Sequence, residues 1–411
     1  MRWEELNKIN KKYGDSFYII EPNSFSENYT SLLSSFRKYY HNTHIGYSYK
    51  TNYLPYYCKM IGNLGGYAEV VSDFEYSLAI KYGVHPAKII VNGPYKKQKD
   101  LHRYLLNQSI VNLDSFYEIE NLLALAESNP NEKYSVGVRC NFAVAESQIS
   151  RFGFDVENED VIVALRSLAN VSNIEIKGLH CHYPNRDLDS FRIRISELLK
   201  LSETLLSATP EYLDIGGGYF GKMEKSLAQQ FKGDIPDFAQ YGEIIGSKID
   251  DYYAGYKPSD KPKLFIEPGS AIVANTIKYI VKILDIKNIR GQDIAMTTGS
   301  RFNMGMFSSP IVLPMKRYSK YAGELSSSNF KSIHISGYTC IENDYLAMDY
   351  SGPLKVGDYL EFSNVGSYSL VFKPPFILPN CSILKYNGEK DGYIELKRAE
   401  SMDDIMRTYN Y

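Results

Sequence analysis

Between residues 44 and 269 the sequence contains eight short apolar runs: HIGYSY (44–49), YAEVV (67–71), KIIVNG (88–93), SIVNL (109–113), KYSVGVRC (133–140), IKGLHCH (176–182), EYLDIGGG (211–218) and KLFIEPG (263–269). Stretches between them, such as DSFYEIENLLALAES (114–128), carry apolar residues at i, i+3 and i+4 and predict helices. Strands that are apolar throughout are typical of parallel sheets buried on both faces. Eight strand–helix alternations therefore predict an α/β fold, a (β/α)8 barrel of the TIM type, over residues 26–272.

The pattern changes after residue 272. Runs such as TIKYIVKILDIKNI (276–289), SIHISGYTC (332–340) and GYIELKR (392–398) alternate apolar and polar residues, which indicates antiparallel strands. We expect residues 273–411 to form a C-terminal antiparallel β-domain. Residues 1–25 are expected to join that domain through the short run SFYII (16–20).

Composition excludes several classes of partner. The chain has 411 residues and a net charge of -2, with 46 basic and 48 acidic side chains and no basic cluster, so we expect no nucleic-acid partner. No long apolar run predicts a membrane span, and the charged N-terminus lacks the apolar centre of a signal peptide, so a cytoplasmic location is expected. The five cysteines are scattered without a C-x-x-C pair, and we expect free thiols and no metal site.

Barrel enzymes carry their reactive groups at the carboxyl ends of the strands. Lys50 follows the first run, His182 ends the sixth and Glu267 lies in the eighth. The seventh run ends in three glycines, Gly216, Gly217 and Gly218. Each feature alone has a plain structural reading: a surface lysine, a core histidine, an acid paired with an arginine, and a tight turn.

Together these residues indicate one cofactor, pyridoxal 5'-phosphate. A lysine at a strand end is costly to bury as a cation and can hold the cofactor aldehyde. Adjacent glycines let backbone N–H groups approach a phosphate closely. Glu267 would pair with the pyridine nitrogen and His182 would stack on the ring, so that the cofactor can act as an electron sink.

The motifs and their order resemble those of the fold-type III pyridoxal-phosphate decarboxylases, the family of diaminopimelate and ornithine decarboxylases. The resemblance extends from about residue 15 to residue 375. It rests on YSYKTN (47–52), EVVSDFE (69–75), GLHCHYPN (178–185), DIGGGY (214–219), EPG (267–269), GYTCIEND (337–344) and NVGSYSLVF (364–372).

The resemblance implies the roles of the site residues. Lys50 would form the Schiff base, and Cys340 would protonate the substrate carbon after carbon dioxide leaves. The cysteine loop would enter the partner's barrel, which implies a homodimer with shared active sites and a small amino-acid substrate. The cofactor would be bound by Lys50, Glu69, Ser72, Arg139, His182, Asn185, Gly216, Gly217, Gly218, Glu267, Gly269, Ser270 and Tyr368.

The sequence departs from the family on the substrate side. Ser270 replaces the arginine of E-P-G-R, so a cation near the phosphate or the substrate is missing. Asn185, behind Pro184, replaces a serine of the phosphate site. Ile341 stands where the family has an acid, with Glu342 one position later. The segment SSPIV (308–312) replaces R-P-x-x-Y and its arginine. Substrate contacts are therefore assigned to Arg301, Ile341, Glu342 and Asp344.

Arg301, Lys316 and Arg317 are candidates for a new anion site, although a solvated charged face is the favoured interpretation. An intact catalytic set beside altered substrate residues suggests a specialised decarboxylase acting on a modified or conjugated amino acid, as in siderophore or antibiotic assembly. The alternatives are lysine, ornithine or diaminopimelate decarboxylation, an amino-acid racemase or epimerase, and an inactive regulatory homologue. Glu267 and Cys340 favour decarboxylation over racemisation.

Overall fold

The computed structural model describes residues 1–145, 149–305, 311–320 and 328–410. The chain forms two compact units. One, the barrel unit, comprises Ser26–Gly221 and Gly233–Ile272; the other, the β-unit, comprises Met1–Phe25, Lys222–Lys232 and Val273–Tyr411. None of the described helices has the length and hydrophobicity that a membrane span requires.

The strands are, in chain order, β1 (Phe17–Ile20), β2 (Thr43–Ser48), β3 (Tyr67–Val70), β4 (Ile89–Val91), β5 (Ile110–Leu113), β6 (Tyr134–Asn141), β7 (Phe154–Asp155), β8 (Ile174–His180), β9 (Tyr212–Asp214), β10 (Lys263–Ile266), β11 (Ile277–Ile289), β12 (Gln292–Thr297), β13 (Met315–Tyr318), β14 (Ser328–Ser336), β15 (Tyr345–Leu354), β16 (Tyr359–Phe362), β17 (Ser382–Tyr386) and β18 (Tyr393–Lys397).

The helices are α1 (Trp3–Tyr13), α2 (Pro22–Arg37), α3 (Pro55–Asn63), α4 (Asp73–Lys81), α5 (Gln98–Leu106), α6 (Phe116–Ser128), α7 (Glu159–Leu168), α8 (Leu188–Leu205), α9 (Lys225–Ala228), α10 (Phe238–Tyr252), α11 (Ser270–Val273) and α12 (Met402–Met406).

The barrel unit contains a closed parallel sheet. Its strands pair in the order β2, β3, β4, β5, β6, β8, β9, β10, and β10 pairs with β2 to close the ring. The short β7 adds to β6 outside this ring. All eight predicted runs fall on these barrel strands, so the predicted (β/α)8 barrel is confirmed. The strands β3 and β9 are buried along their whole length, as expected for a sheet covered on both faces.

Local sequence signals explain where the barrel helices begin. Helix α4 is capped by Ser72, whose hydroxyl accepts the backbone N–H of Glu75 at 3.2 Å. Helix α8 is capped by Asp187, which accepts the N–H of Ser190 at 2.8 Å. Both caps satisfy an N–H group that has no partner within the helix. The caps therefore fix the residues at which these two helices begin, Asp73 and Leu188.

The β-unit contains a second sheet in which the strands run in the order β15, β14, β12, β11, β1, β17, β18, with β16 pairing β11 and β13. Most pairs are antiparallel, as predicted, but β1–β17 and β12–β14 are parallel. Long connections, rather than hairpins, separate the members of these two pairs, which permits the parallel arrangement. A core cluster joins α1 to the sheet and contains Leu6, Ile9, Phe17, Ile19, Ile280, Tyr318, Tyr359 and Leu384.

Candidate active site

Lys50 lies in a 3-10 turn, Tyr49–Thr51, directly after β2. Its ammonium nitrogen is 2.6 Å from Oε2 of Glu69, which is buried on β3. The Ser48 hydroxyl donates to the same carboxylate oxygen. The Lys50 side chain is 34% exposed, so it is the open end of an otherwise buried ion pair. A carboxylate in this position compensates much of the cost of holding an amine at a strand end.

A single amide joins Glu69 to Glu267. Asn92 directly follows β4, and its Nδ2 donates to Glu69 Oε1 at 3.2 Å and to Glu267 Oε1 at 2.5 Å. In turn Asn112 Nδ2 donates to Asn92 Oδ1 at 2.9 Å, and the Tyr212 hydroxyl donates to Asn112 Oδ1 at 2.7 Å. Burial raises the pKa of Tyr212 well above its ordinary value, so its hydroxyl keeps the proton that sets the direction of the chain.

Glu267 lies directly after β10 and is held in its ionised form. Burial by itself would raise its pKa, but His180, Lys50 and a hydrogen bond with Asp214 outweigh burial and hold the pKa below the usual range. His180 Nε2 is 3.5 Å from Glu267 Oε2. Burial, and then the charge of Glu267, raises the pKa of Asp214 well above its ordinary value. Asp214 is therefore the carboxyl group of this pair that keeps its proton, and Glu267 is the one that carries the negative charge.

The three glycines form a tight loop against Glu267 and His182. Gly216 and Gly218 have φ values of 70° and 105°, a region that favours glycine. A Cβ on Gly217 would lie 2.5 Å from the backbone oxygen of Glu267. The Gly217 N–H donates to Nδ1 of His182 at 3.0 Å, and the Gly216 N–H donates to Asp214 Oδ1 at 2.9 Å.

His182 is a neutral ring in this loop. Its pKa lies well below the ordinary value, first because it is buried and then because of the charge of Lys50. The N–H from Gly217 requires a lone pair on Nδ1. The proton of the neutral ring is therefore on Nε2.

The other residues predicted in the barrel divide into two groups. Arg139 forms a buried ion pair with Asp114 at 2.9 Å, and Ser72 caps α4. Both of these side chains are engaged within the protein.

Gly269, Ser270 and Asn185 belong to the second group, at loop positions around the strand ends. A Cβ on Gly269 would lie 2.1 Å from Thr51 Oγ1, so only glycine fits there. Ser270 begins α11. The side-chain oxygen of Asn185 is buried and has no hydrogen-bond partner among the described residues.

The predicted residues of the β-unit gather around one loop, residues 337–344. Asp344 is buried and accepts hydrogen bonds from the Ser300 hydroxyl at 2.9 Å and the Thr339 hydroxyl at 2.7 Å. These hydrogen bonds of Asp344 hold the two ends of the loop in place. Cys340 lies on the same loop and is exposed. Ile341 is partly buried and Glu342 is exposed on the same loop.

Arg301 also belongs to this region, since its guanidinium donates to the Asn343 carbonyl at 3.2 Å. Arg317, proposed with it as an anion site, forms an ion pair with Asp358 at 2.5 Å. Tyr368 has a φ of 59° and is partly buried. Residues 308–310 of the altered segment 308–312 lie outside the described residues.

Sequence analysis missed Asn92, Asn112, Asp214 and Arg194. Asn92 and Asp214 stand at strand ends, the same signal that identified Lys50. Asn92 belonged to no assigned motif, and in DIGGGY (214–219) the role was given to the glycines and not to Asp214. Asn112 lies inside β5, and Arg194 lies inside α8, where no sequence rule distinguishes a site residue from a core or surface one.

The barrel residues fit pyridoxal 5'-phosphate. Such a cofactor needs an amine for its aldehyde, an anion for its ring nitrogen and close backbone for its phosphate. Lys50 is partly open, Glu267 is a buried anion, and the glycine loop has no space for a Cβ at Gly217.

Comparison with known proteins gives the same picture. Residues 27–274 match the family model described as "Pyridoxal-dependent decarboxylase, pyridoxal binding domain". The chain is 23% identical to a diaminopimelate decarboxylase of Aquifex aeolicus over 384 residues, which cover 88% of this chain and 84% of that protein.

Two solved structures share the fold. A diaminopimelate decarboxylase of M. jannaschii has a TM-score of 0.83 and 20% identity, with 98% of this chain and 94% of that chain covered. The arginine decarboxylase of Paramecium bursaria Chlorella virus has a TM-score of 0.72 and 19% identity, with 91% and 97% covered. The match of the family model over more than half of the chain shows that this protein belongs to the pyridoxal-dependent decarboxylases, enzymes that use pyridoxal phosphate to remove the carboxyl group of an amino acid.

Proposed function

We propose that the enzyme decarboxylates a diamino acid of the diaminopimelate or lysine type, with Lys50 as the residue that binds the cofactor covalently. The observation that carries this proposal is the buried network that connects Lys50, through Glu69 and Asn92, to the anionic Glu267. This network has an amine and a negative charge at the same end of one barrel, as the chemistry requires.

Each barrel residue has a defined task in this proposal. When bound, pyridoxal phosphate would supply the electron sink for the pair that departing carbon dioxide leaves behind. Glu267, kept ionised by His180 and Lys50, supplies the negative charge beside the ring nitrogen. His182, kept neutral by burial and by the charge of Lys50, presents an aromatic face without a repelling charge. Because the N–H groups of Gly216 and Gly217 are already engaged, Gly218 supplies the donor of this triplet to the phosphate.

Cys340 is the proposed proton donor to the substrate carbon. It is exposed on a loop whose base is closed by Asp344, so the thiol is presented to the outside on a well-anchored support. We place this loop in the active site of a partner subunit, in a homodimer. An exposed apolar segment of the β-unit, with Phe372, Phe376, Ile377 and Leu378 each between 41% and 49% exposed, supports an interface between two copies.

The comparisons favour the primary-metabolism alternative over the specialised biosynthetic step that the altered residues suggested. The relatives named above act on diaminopimelate or arginine, according to their names. The sequence has Ser270 in place of the family arginine, which weakens the case for a distal carboxylate. Lysine lacks the second carboxylate that diaminopimelate carries far from the reacting carbon. We therefore expect the comparison of these two substrates to show whether the enzyme accepts that carboxylate.

The test begins with the absorbance spectrum of the protein loaded with pyridoxal phosphate. We expect a visible band that borohydride abolishes and that Lys50→Ala lacks, because the amine of Lys50 carries the covalent link. Carbon dioxide release is then measured with diaminopimelate, lysine, ornithine and arginine. A wild-type protein without the Lys50-dependent band would refute the site, and a band without carbon dioxide release from any of the four would refute the substrate class.

A further inference from the structure

Arg194 is completely buried on the inner face of α8. Its guanidinium donates to the Ser190 hydroxyl at 3.1 Å, to the Gly217 carbonyl at 3.0 Å and to the Asn185 carbonyl at 2.6 Å. A further bond reaches the Tyr183 carbonyl at 3.2 Å. One side chain thus fastens the loop that follows β8 to the glycine loop that follows β9.

All of these acceptors are uncharged. Within the described ranges of the chain no carboxylate forms an ion pair with Arg194. Burial lowers the pKa of the guanidinium. Of the neighbours that raise it, the Cys181 thiol and the Tyr219 phenol have the largest effects, and the Asp187 carboxylate has a smaller one. Burial keeps both the thiol and the phenol protonated at neutral pH.

A buried cation without a counter-ion is costly, and arginine does not relieve the cost by losing its proton. The protein therefore has a fixed positive charge directly behind the loops that carry Gly217 and Asn185. These are the loops assigned above to the cofactor phosphate. The arginine expected nearby in E-P-G-R is absent, because Ser270 stands there.

We propose that Arg194 supplies the positive charge that neutralises the cofactor phosphate, in place of the cation lost at position 270. This inference rests on the phosphate site described under the proposed function. Arg194 acts as a positioning residue: its N–H groups hold the two loops, and its charge attracts the dianion through the low-dielectric interior. The buried, unpartnered oxygen of Asn185 belongs to the same site, since rotating that amide would present an N–H donor instead.

The experiment compares ligands with and without a phosphate on the full-length apoprotein. Dissociation constants for pyridoxal phosphate and for pyridoxal are measured with wild type, Arg194→Met and Arg194→Lys. We expect Arg194→Met to weaken binding of pyridoxal phosphate about tenfold to a hundredfold, the loss of one charge-assisted interaction, while pyridoxal binds as in wild type. Arg194→Lys restores most of the preference because it retains the charge.

A second readout needs no cofactor. Inorganic phosphate should raise the thermal unfolding midpoint of wild-type and Arg194→Lys apoprotein and leave that of Arg194→Met unchanged. If Arg194→Met does not fold, Arg194→Gln, which retains an amide donor for the loop carbonyls, gives the same comparison. Equal losses for pyridoxal phosphate and pyridoxal would mean that Arg194 only holds the loops, and would overturn the inference.

The two proposals fail in different ways. A wild-type protein without the Lys50-dependent absorbance band refutes the proposed site itself. A wild-type protein with that band, together with an Arg194→Met variant that keeps the full preference for the phosphorylated ligand, refutes only the assignment of Arg194.

Discussion

At the scale of single residues, the side chain of Asn92 is the link between the two carboxylates of the site. Its one NH2 group donates to both Glu69 and Glu267, and its carbonyl oxygen is satisfied by Asn112. The amide is neutral, so it separates two negative charges while stabilising both. A carboxylate at this position would remove both donors and add a third negative charge.

We therefore expect Asn92→Asp to raise the pKa of Glu267 and to lower kcat about tenfold to a hundredfold, the equivalent of losing the hydrogen bond to the charged Glu267. The visible band of the loaded enzyme should also titrate at a different pH. Asn173→Asp is the matched control, because Asn173 donates to the Ala126 and Asn129 carbonyls instead. An Asn92→Asp enzyme with wild-type kcat and an unchanged pH titration of the band would contradict this role.

At the scale of elements, glycines on the barrel strands leave space inside the barrel for a large side chain from another strand. A Cβ on Gly137 would lie 2.0 Å from the Tyr212 hydroxyl, and one on Gly178 would lie 2.3 Å from its ring. Glycines on β6 and β8 thus make room for the phenol that begins the hydrogen-bond chain to Asn92. Tyr212 also belongs to a hydrophobic core cluster with Tyr67, Ile90 and Phe265.

The first barrel strand contributes His44 to the edge of this cluster, with ring centroids 5.6 Å from Tyr67 and 5.7 Å from Phe265. Burial, and then the charge of Arg37, lowers the pKa of His44 to about 4 from 6.5. Between these two values the unfolded chain binds the proton and the folded chain does not. The free energy of unfolding therefore falls as the pH drops from 6.5 towards 4.

On acidification the free energy of unfolding should fall by about 1–3 kcal/mol less in His44→Phe than in wild type, because phenylalanine cannot take up a proton. The measurement is denaturant unfolding of the apoprotein at neutral pH and near the folded pKa of His44. His41→Phe, at an exposed position in the preceding loop, serves as the control. An equal acid-dependent loss in wild type and His44→Phe would show that other groups account for it.

At the scale of the whole molecule, the proposed homodimer with shared sites can be tested by mixing two inactive variants. Lys50→Ala removes the residue proposed to bind the cofactor, and Cys340→Ala removes the proposed proton donor. In randomly mixed dimers half of the molecules are hybrids, and each hybrid has one complete site of two. We expect the mixture to recover about a quarter of wild-type activity, since the symmetric interface treats both subunits alike.

Carbon dioxide release is measured after the two variants are unfolded and refolded together, and each variant refolded alone is the control. Activity no higher than the sum of the two controls would place Lys50 and Cys340 in the same subunit's site. Sedimentation of the wild type at rising concentration determines separately whether a dimer forms.

Much of this protein was determined by its sequence alone. Apolar runs alternating with amphipathic segments predicted the eight barrel strands, because a strand buried on both faces has few other compositions available. Lys50, Glu267 and the glycines were identifiable because barrel chemistry gathers at strand ends, a position that sequence order reveals. Together these residues indicated the cofactor, and the resemblance of the ordered motifs to a known family then implied decarboxylation.

Only the tertiary structure decided how these groups are charged and connected. Asn92, Asn112 and Tyr212 come from three different strands, and their common chain exists only because closing the barrel brings those strands together. The opposite pKa shifts of Asp214 and Glu267 and the uncharged surroundings of Arg194 likewise depend on burial and on distances between remote positions. Residue type and order specify local structure, but the ionisation of a side chain is set by the neighbours that folding places around it.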